Sequence, residues 1–145
     1  NLRRQRQMCI RDRSSIARMV AELDTERAPR VLFYTVDHRR DTVAQMAAYV
    51  PYFDPDFIGL THVDDPANPH LPFEQSLGIT SRLLPGEEGG EYQVLHGVQL
   101  LLLNPRGQLQ AIFKPGESAP GVSAFDATRL RTDYLAVRSY RAGSG

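Results

Sequence analysis

Residues 30–61, RVLFYTVDHRRDTVAQMAAYVPYFDPDFIGLT, hold strand, loop, helix and strand signals in one short stretch. Arg30 to Val36 is a β-rich apolar run, too short for a comfortable helix, and reads as a buried strand. Asp41-Thr42 then offers a helix N-cap. Val43, Met46, Ala47 and Val50 follow at helical spacing, and Pro51 marks the stop. Phe57 to Thr61 is a second strand. A parallel βαβ unit of this kind belongs to an α/β domain.

Outward from that unit, Ile16, Met19, Val20 and Leu23 give Ser14 to Leu23 one apolar helical face. Pro72 to Leu77 reads as a short helix closed by Gly78, and Ile79 to Leu84 as a short extended piece. Val98 to Leu103 and Gln108 to Phe113 form a hairpin through Asn104-Pro105-Arg106-Gly107, with Pro and Gly where a turn needs them. Asp126 caps a final helix whose Leu130, Tyr134 and Val137 face the sheet. Loops fall at Asp64 to Pro72, Pro85 to Gly90 and Pro115 to Gly121, and Arg141 to Gly145 is expected to fray.

Residues Leu2 to Arg13, LRRQRQMCIRDR, have no apolar periodicity and carry five Arg. A basic arm for nucleic acid is the ordinary reading of such a run. The string also matches the conceptual translation of a widely used transposase sequencing adapter. On that reading residues 1–13 are an artefact, disordered, and are set aside with Cys9 before the fold is considered. The domain then runs over residues 14–141, with a tail at 142–145. Removing five Arg and one Asp from the 17 basic and 17 acidic residues leaves 12 against 16, a net charge of −4. The case for nucleic-acid binding goes with them.

What remains suits one domain. No apolar run is long enough to span a membrane, and with Cys9 set aside no cysteine remains to indicate a redox compartment. Lys114 is the single lysine, a bias that fits a GC-rich bacterial genome. There is no P-loop, G-x-S-x-G or H-E-x-x-H.

The order V-D-x-x-R-D-T, then Y-V-x-Y-F-D-P-x-F-I-G-L-T, F-E-Q-S-L-G-I, V-L-H-G and L-L-L-N-P-R-G-Q-L, ending near Phe113, resembles the Sco/SenC family. These are thioredoxin-fold copper-binding proteins that help to assemble cytochrome c oxidase. The resemblance implies an α/β, thioredoxin-like fold that is incomplete here, lacking the first core strand and the C-x-x-x-C-P loop ahead of Arg30. Without that strand, Arg30 to Val36 would present an unpaired edge. It implies copper as the metal, a copper-bearing oxidase subunit as partner, and a periplasmic site with an inner-membrane anchor.

Four histidines are present: His38, His62, His70 and His96. On spacing alone, His96 is an ordinary loop histidine bonded to backbone. The resemblance maps it onto the family's copper-ligating histidine, with two Cys thiolates as its partners, a set that suits Cu(I) and also holds Cu(II). Leu95 and Gly97 stand where the family commonly has Asp and Ser or Thr, and His38 where it has Pro. Asp37, Arg40 and Asp41 match its acid-x-x-R-D loop and read as structural. His62 and His70 flank Asp64 and Asp65 in a Pro-rich loop without a recognised ligand spacing, and read as solvated.

The alternatives are a thiol-disulfide oxidoreductase or peroxidase of the same fold, and a degenerate interaction module that binds no metal. Redox relatives usually place Pro just before the third core strand, whereas no Pro occurs between Pro85 and Pro105. That favours metal ligation without turnover. An uninterrupted genomic sequence across the junction before Ser14 is expected to replace residues 1–13 and to encode Cys-x-x-x-Cys-Pro. Finding residues 1–13 encoded in place, with no thiol pair upstream, would overturn both expectations.

Overall fold

A computed structural model describes residues 2–64, 67, 72–79, 81–85, 92–96 and 99–143. Side chains are described within 10–64, 67, 72–79 and 99–143. The chain divides into two compact units, Arg30–Gly97 and the combination of Asn1–Pro29 with Val98–Gly145.

The first unit is built on the βαβ stretch. Strand β1 (Leu32–Tyr34) pairs in parallel with β2 (Ile58–Leu60), Leu32 opposite Ile58 and Tyr34 opposite Leu60. Among the described residues β1 has no other strand partner. The crossover is helix α2 (Val43–Tyr49) with a 3₁₀ turn at Val50–Tyr52. Thr42 is the N-cap, and a capping box links it with Gln45, whose amide Oε1 accepts from Thr42 N at 3.0 Å. Met46 and Val50 are buried as the spacing predicts, together with Phe57. Val43 is 73% exposed and Ala47 is also exposed, so the apolar stripe is narrower than expected. Only the side of α2 above Gly59 meets the sheet.

Helix α3 (Pro72–Ser76) follows, and Gly78 adopts φ +66°, the left-handed conformation that ends helices on glycine. Strands β3 (Ser81–Pro85) and β4 (Tyr92–His96) form an antiparallel pair with Ser81 opposite His96. The sequence offers the first as an extended piece and leaves the second unassigned.

The second unit joins both ends of the chain. Helix α1 (Leu2–Ala21) and helix α4 (Ala127–Ala142) pack on each other. Residues 1–13, expected to be disordered, are helical from Leu2 onward. Arg, Gln and Met all propagate a helix well once Ile16 and Met19 have anchored its inner turns. Asp12, 7% exposed, accepts the Phe125 backbone N–H at 3.0 Å. Burial pushes its carboxyl above the usual range, against the opposing pull of that N–H and of Arg13.

Strands β5 (Leu100–Leu103) and β6 (Leu109–Phe113) form the expected hairpin. Its turn works as its composition predicts: Asn104 Oδ1 accepts from Arg106 N and Gln108 N, and Gly107 has φ +77°. Strands β7 (Gly116–Ala119) and β8 (Val122–Ala124) make a further hairpin where the sequence offers only a loop. Asp126 caps α4 by accepting Arg129 N at 2.8 Å, as expected. Leu130 and Tyr134 are buried on α4 while Val137 is half-buried. The Tyr134 hydroxyl donates to the Arg27 carbonyl at 2.5 Å.

Gly59 sets how closely α2 approaches β2. A Cβ there would lie 3.1 Å from Met46 Cβ, Met46 Cε and Val50 Cγ2, tighter than ordinary packing permits without a shift. Gly59→Ala is expected to destabilise the protein by about 1–3 kcal/mol through overpacking. A urea unfolding midpoint equal to that of the unsubstituted protein would disprove this close contact.

Candidate functional site

Where β1 ends, the chain turns through the acid-x-x-R-D loop, and hydrogen bonds rather than apolar contacts shape it. Thr35, buried, takes its N–H to the Leu60 carbonyl at 3.0 Å, extending the strand pairing. Its hydroxyl donates to Asp41 Oδ2 at 2.5 Å and accepts the Asp37 N–H at 3.0 Å. Thr61 Oγ1 donates to the Asp41 carbonyl at 2.8 Å, and Arg40 lies 3.4 Å from Asp37 Oδ2. Asp41 therefore joins the ends of β1 and β2 to the start of α2, the structural role expected of it.

On this frame sits a cluster of rings. The Tyr34 hydroxyl donates to Glu74 Oε1 of α3 at 2.5 Å and stands 3.1 Å from His62 Nδ1. The His38 and His62 rings lie 4.1 Å apart between centroids, tilted by 38°. Phe73 meets Tyr34 edge-on at 5.1 Å, closing the apolar side. His38 Nε2 lies 2.7 Å from Asp64 Oδ1, within ion-pair range. Among the described residues it has no hydrogen-bond partner.

Burial, then the Glu74 carboxylate, pushes the Tyr34 phenol well above its ordinary range, so it stays protonated. His62 is held below the ordinary imidazole range. Burial is the main cause and the His38 ring a second, with Glu74 and Asp64 opposing them.

His38 and His62, unconnected in the sequence reading, are brought together by the structure. Tyr34 and Glu74 carry no signal of this role in the sequence. They lie 28 and 40 positions from the partners they bond, and no local pattern links such distances. His96 is the last residue of β4, paired with Ser81, where a loop was expected. Its side chain, like that of Leu95, lies outside the described residues, as do His70, Asp65 and Gly97. Among the described residues no group of three or more His, Cys, Asp or Glu side chains stands ready to hold a metal ion.

Among the described residues a parallel βαβ unit, three antiparallel strand pairs and helices from both ends of the chain make up a mixed α/β fold. The SCO1/SenC family model matches residues 6–128, and the chain belongs to that family. The protein SCO2 homolog, mitochondrial, of Bos taurus is 32% identical over 119 residues, which cover 80% of this chain and 44% of the relative. That of Homo sapiens is 30% identical over the same length and shares. The chain thus spans less than half the length of these curated relatives.

Among solved structures, Arabidopsis thaliana ScoI with copper bound superimposes with a TM-score of 0.69 at 23% identity, over 93% of this chain and 76% of that one. Apo Sco1 from Thermus thermophilus gives 0.66, also at 23% identity, over 87% and 70%. At these identities the likeness establishes the fold, the thioredoxin-like class expected from the sequence.

The lowered His62 proton affinity ties stability to pH. Between the folded value and the unfolded value of about 6.5, the unfolded chain binds the proton and the folded chain does not. Its contribution is therefore complete above about pH 6.5 and is lost as pH falls through that range. His62→Asn is expected to flatten this part of a curve of urea midpoint against pH. The same slope in both proteins would rule His62 out as its source.

Proposed function

We propose that the protein to which this chain belongs is a Sco-type metallochaperone, which binds copper as cargo and passes it to the copper-bearing subunit of cytochrome c oxidase during assembly. Membership of the SCO1/SenC family supports the reading, as do the copper-bound Sco structures that share this fold, from Arabidopsis thaliana and Bradyrhizobium japonicum. Within this chain one observation carries it: His96 closes β4 at a strand end, in the V-L-H-G segment that matches the family's metal-ligating position.

The donor chemistry is that of a soft, exchangeable site. An imidazole ligates only when neutral at the binding nitrogen. Two thiolates completing it, as the resemblance implies, suit Cu(I) and tolerate Cu(II). No proline stands between Pro85 and Pro105, so the position that redox relatives fill with Pro reads Leu95-His96-Gly97. This supports cargo binding over thiol-disulfide exchange.

The location proposed is the outer face of the bacterial inner membrane, with the domain held there by an anchor. Among the described residues no helix is long and apolar enough to cross a membrane.

Titration of the full-length protein with Cu(I) and Cu(II) tests the reading. His96→Ala is expected to lose Cu(II) affinity by at least about 100-fold, since one of three ligands is removed, and to change the charge-transfer absorption. Unchanged stoichiometry and spectrum in the variant would refute His96 as a ligand.

A further inference from the structure

Helix α3 has no buried side chain of its own: Phe73 is 45% exposed, and Glu74 and Leu77 are half-buried. A helix of 5 residues does not hold its place by length or propensity. Among the described residues, the hydrogen bond and the ring contact that fasten it to β1 both end on Tyr34. The phenol donates to Glu74 Oε1 at 2.5 Å, and its ring meets Phe73 edge-on at 5.1 Å. Tyr34 is itself well held. It sits in β1 opposite Leu60. Its one hydrogen goes to Glu74, so the 3.1 Å contact with His62 is a hydrogen bond when Nδ1 donates to the phenol oxygen.

The chain that leaves α3 is tied back to the same residue. The Ile79 N–H donates to the Glu74 carbonyl at 2.9 Å and the Gly78 N–H to the Gln75 carbonyl at 3.1 Å, so the exit from the helix is set by the turn that Tyr34 holds. Strand β3 then begins at Ser81, directly opposite His96. Among the described residues β3 and β4 pair with each other and with no other strand. A two-stranded hairpin is marginal by itself in water, so its placement comes from its attachments. On the N-terminal side that attachment is α3. The route from Tyr34 to His96 is therefore short: phenol to Glu74, the Glu74 carbonyl to Ile79, and Ser81 to its partner His96.

We propose that Tyr34 is a positioning residue for copper binding at His96, acting through α3 and the β3–β4 pair. The inference rests on the reading of His96 as a copper ligand. A ligand whose strand end is already held loses less freedom when the cargo binds. Outer contacts that orient a ligand are typically worth about 10–100-fold in metal affinity. A hydrogen bond to a carboxylate belongs to the strong class, which suits one bond to this task. Burial first, and Glu74 second, keep the phenol protonated, so the donor is present through the neutral range.

Variants of the full-length protein test this, each read by amide hydrogen exchange without metal and by Cu(II) titration. Tyr34→Phe removes the hydroxyl and keeps the ring against Phe73, and Glu74→Ala removes the acceptor without lowering helix propensity. Each is expected to quicken exchange across β3 and β4 at least about 5-fold and to leave that of β5 and β6 unchanged. Each is also expected to weaken Cu(II) binding about 10-fold, with a shifted charge-transfer band. The two together should cost no more than either alone, and Glu74→Gln, which retains an acceptor, should bind within about 3-fold of the unsubstituted protein. Unchanged exchange in β3 and β4, or equal quickening in β5 and β6, would overturn the proposal. So would undiminished Cu(II) affinity in Tyr34→Phe and Glu74→Ala beside a loss in His96→Ala. Normal copper binding by His96→Ala would overturn the ligand reading itself, and this proposal with it.

Discussion

Asp41 is the point on which the described geometry of the central unit depends. Its carboxylate takes the Thr35 hydroxyl and its carbonyl takes the Thr61 hydroxyl, so one residue fastens both strand ends. It also precedes the Thr42 cap, so the entry angle of α2 is set at the same place. Part-buried hydroxyls and carboxylates are favourable only when paired, and removing the Thr35 hydroxyl takes this partner from the Asp41 carboxylate. The position of the Tyr34, His38 and His62 rings follows, because each lies within a few residues of that junction. Gly59 makes the complementary contribution below, letting Met46 and Val50 close on the strand pair.

What the sequence made legible was local. The βαβ unit, the Asn104–Gly107 turn, the Gly78 stop and the Asp126 cap each rest on a few neighbouring residues with one dominant conformational preference. The stripe on α2 is narrower than its spacing predicts, because helical spacing does not say how much of a helix the opposing strands can cover. Strand β4 and the β7–β8 hairpin escaped notice because their segments alternate weakly and lie beside Pro- and Gly-rich stretches. The residues of the ring cluster are chemically ordinary one by one. Only pairing of β1 with β2 brings Tyr34, His62 and His38 within reach of each other.

The family assignment and the ring cluster bear on different chemistry. The V-L-H-G segment carries a resemblance that reaches across most of the chain, and the SCO1/SenC match over residues 6–128 agrees with it. His38, by contrast, stands where the resemblance leads one to expect proline. An imidazole there gains a neighbour in His62 that a pyrrolidine ring could not use. The same loop scaffold thus carries two sets of polar atoms: hydroxyl and carboxylate oxygens that hold the backbone, and ring nitrogens that meet Tyr34 and Asp64.

The tie between Tyr134 and the Arg27 carbonyl spans 107 positions, and Arg138 reaches the Glu26 carbonyl across 112. During synthesis on the ribosome, residues 24–28 therefore wait for the last helix before their carbonyls find these donors. The βαβ stretch, whose partners lie within one contiguous segment, is able to assemble earlier. The turn at residues 24–28 is thus secured only once α4 has been made.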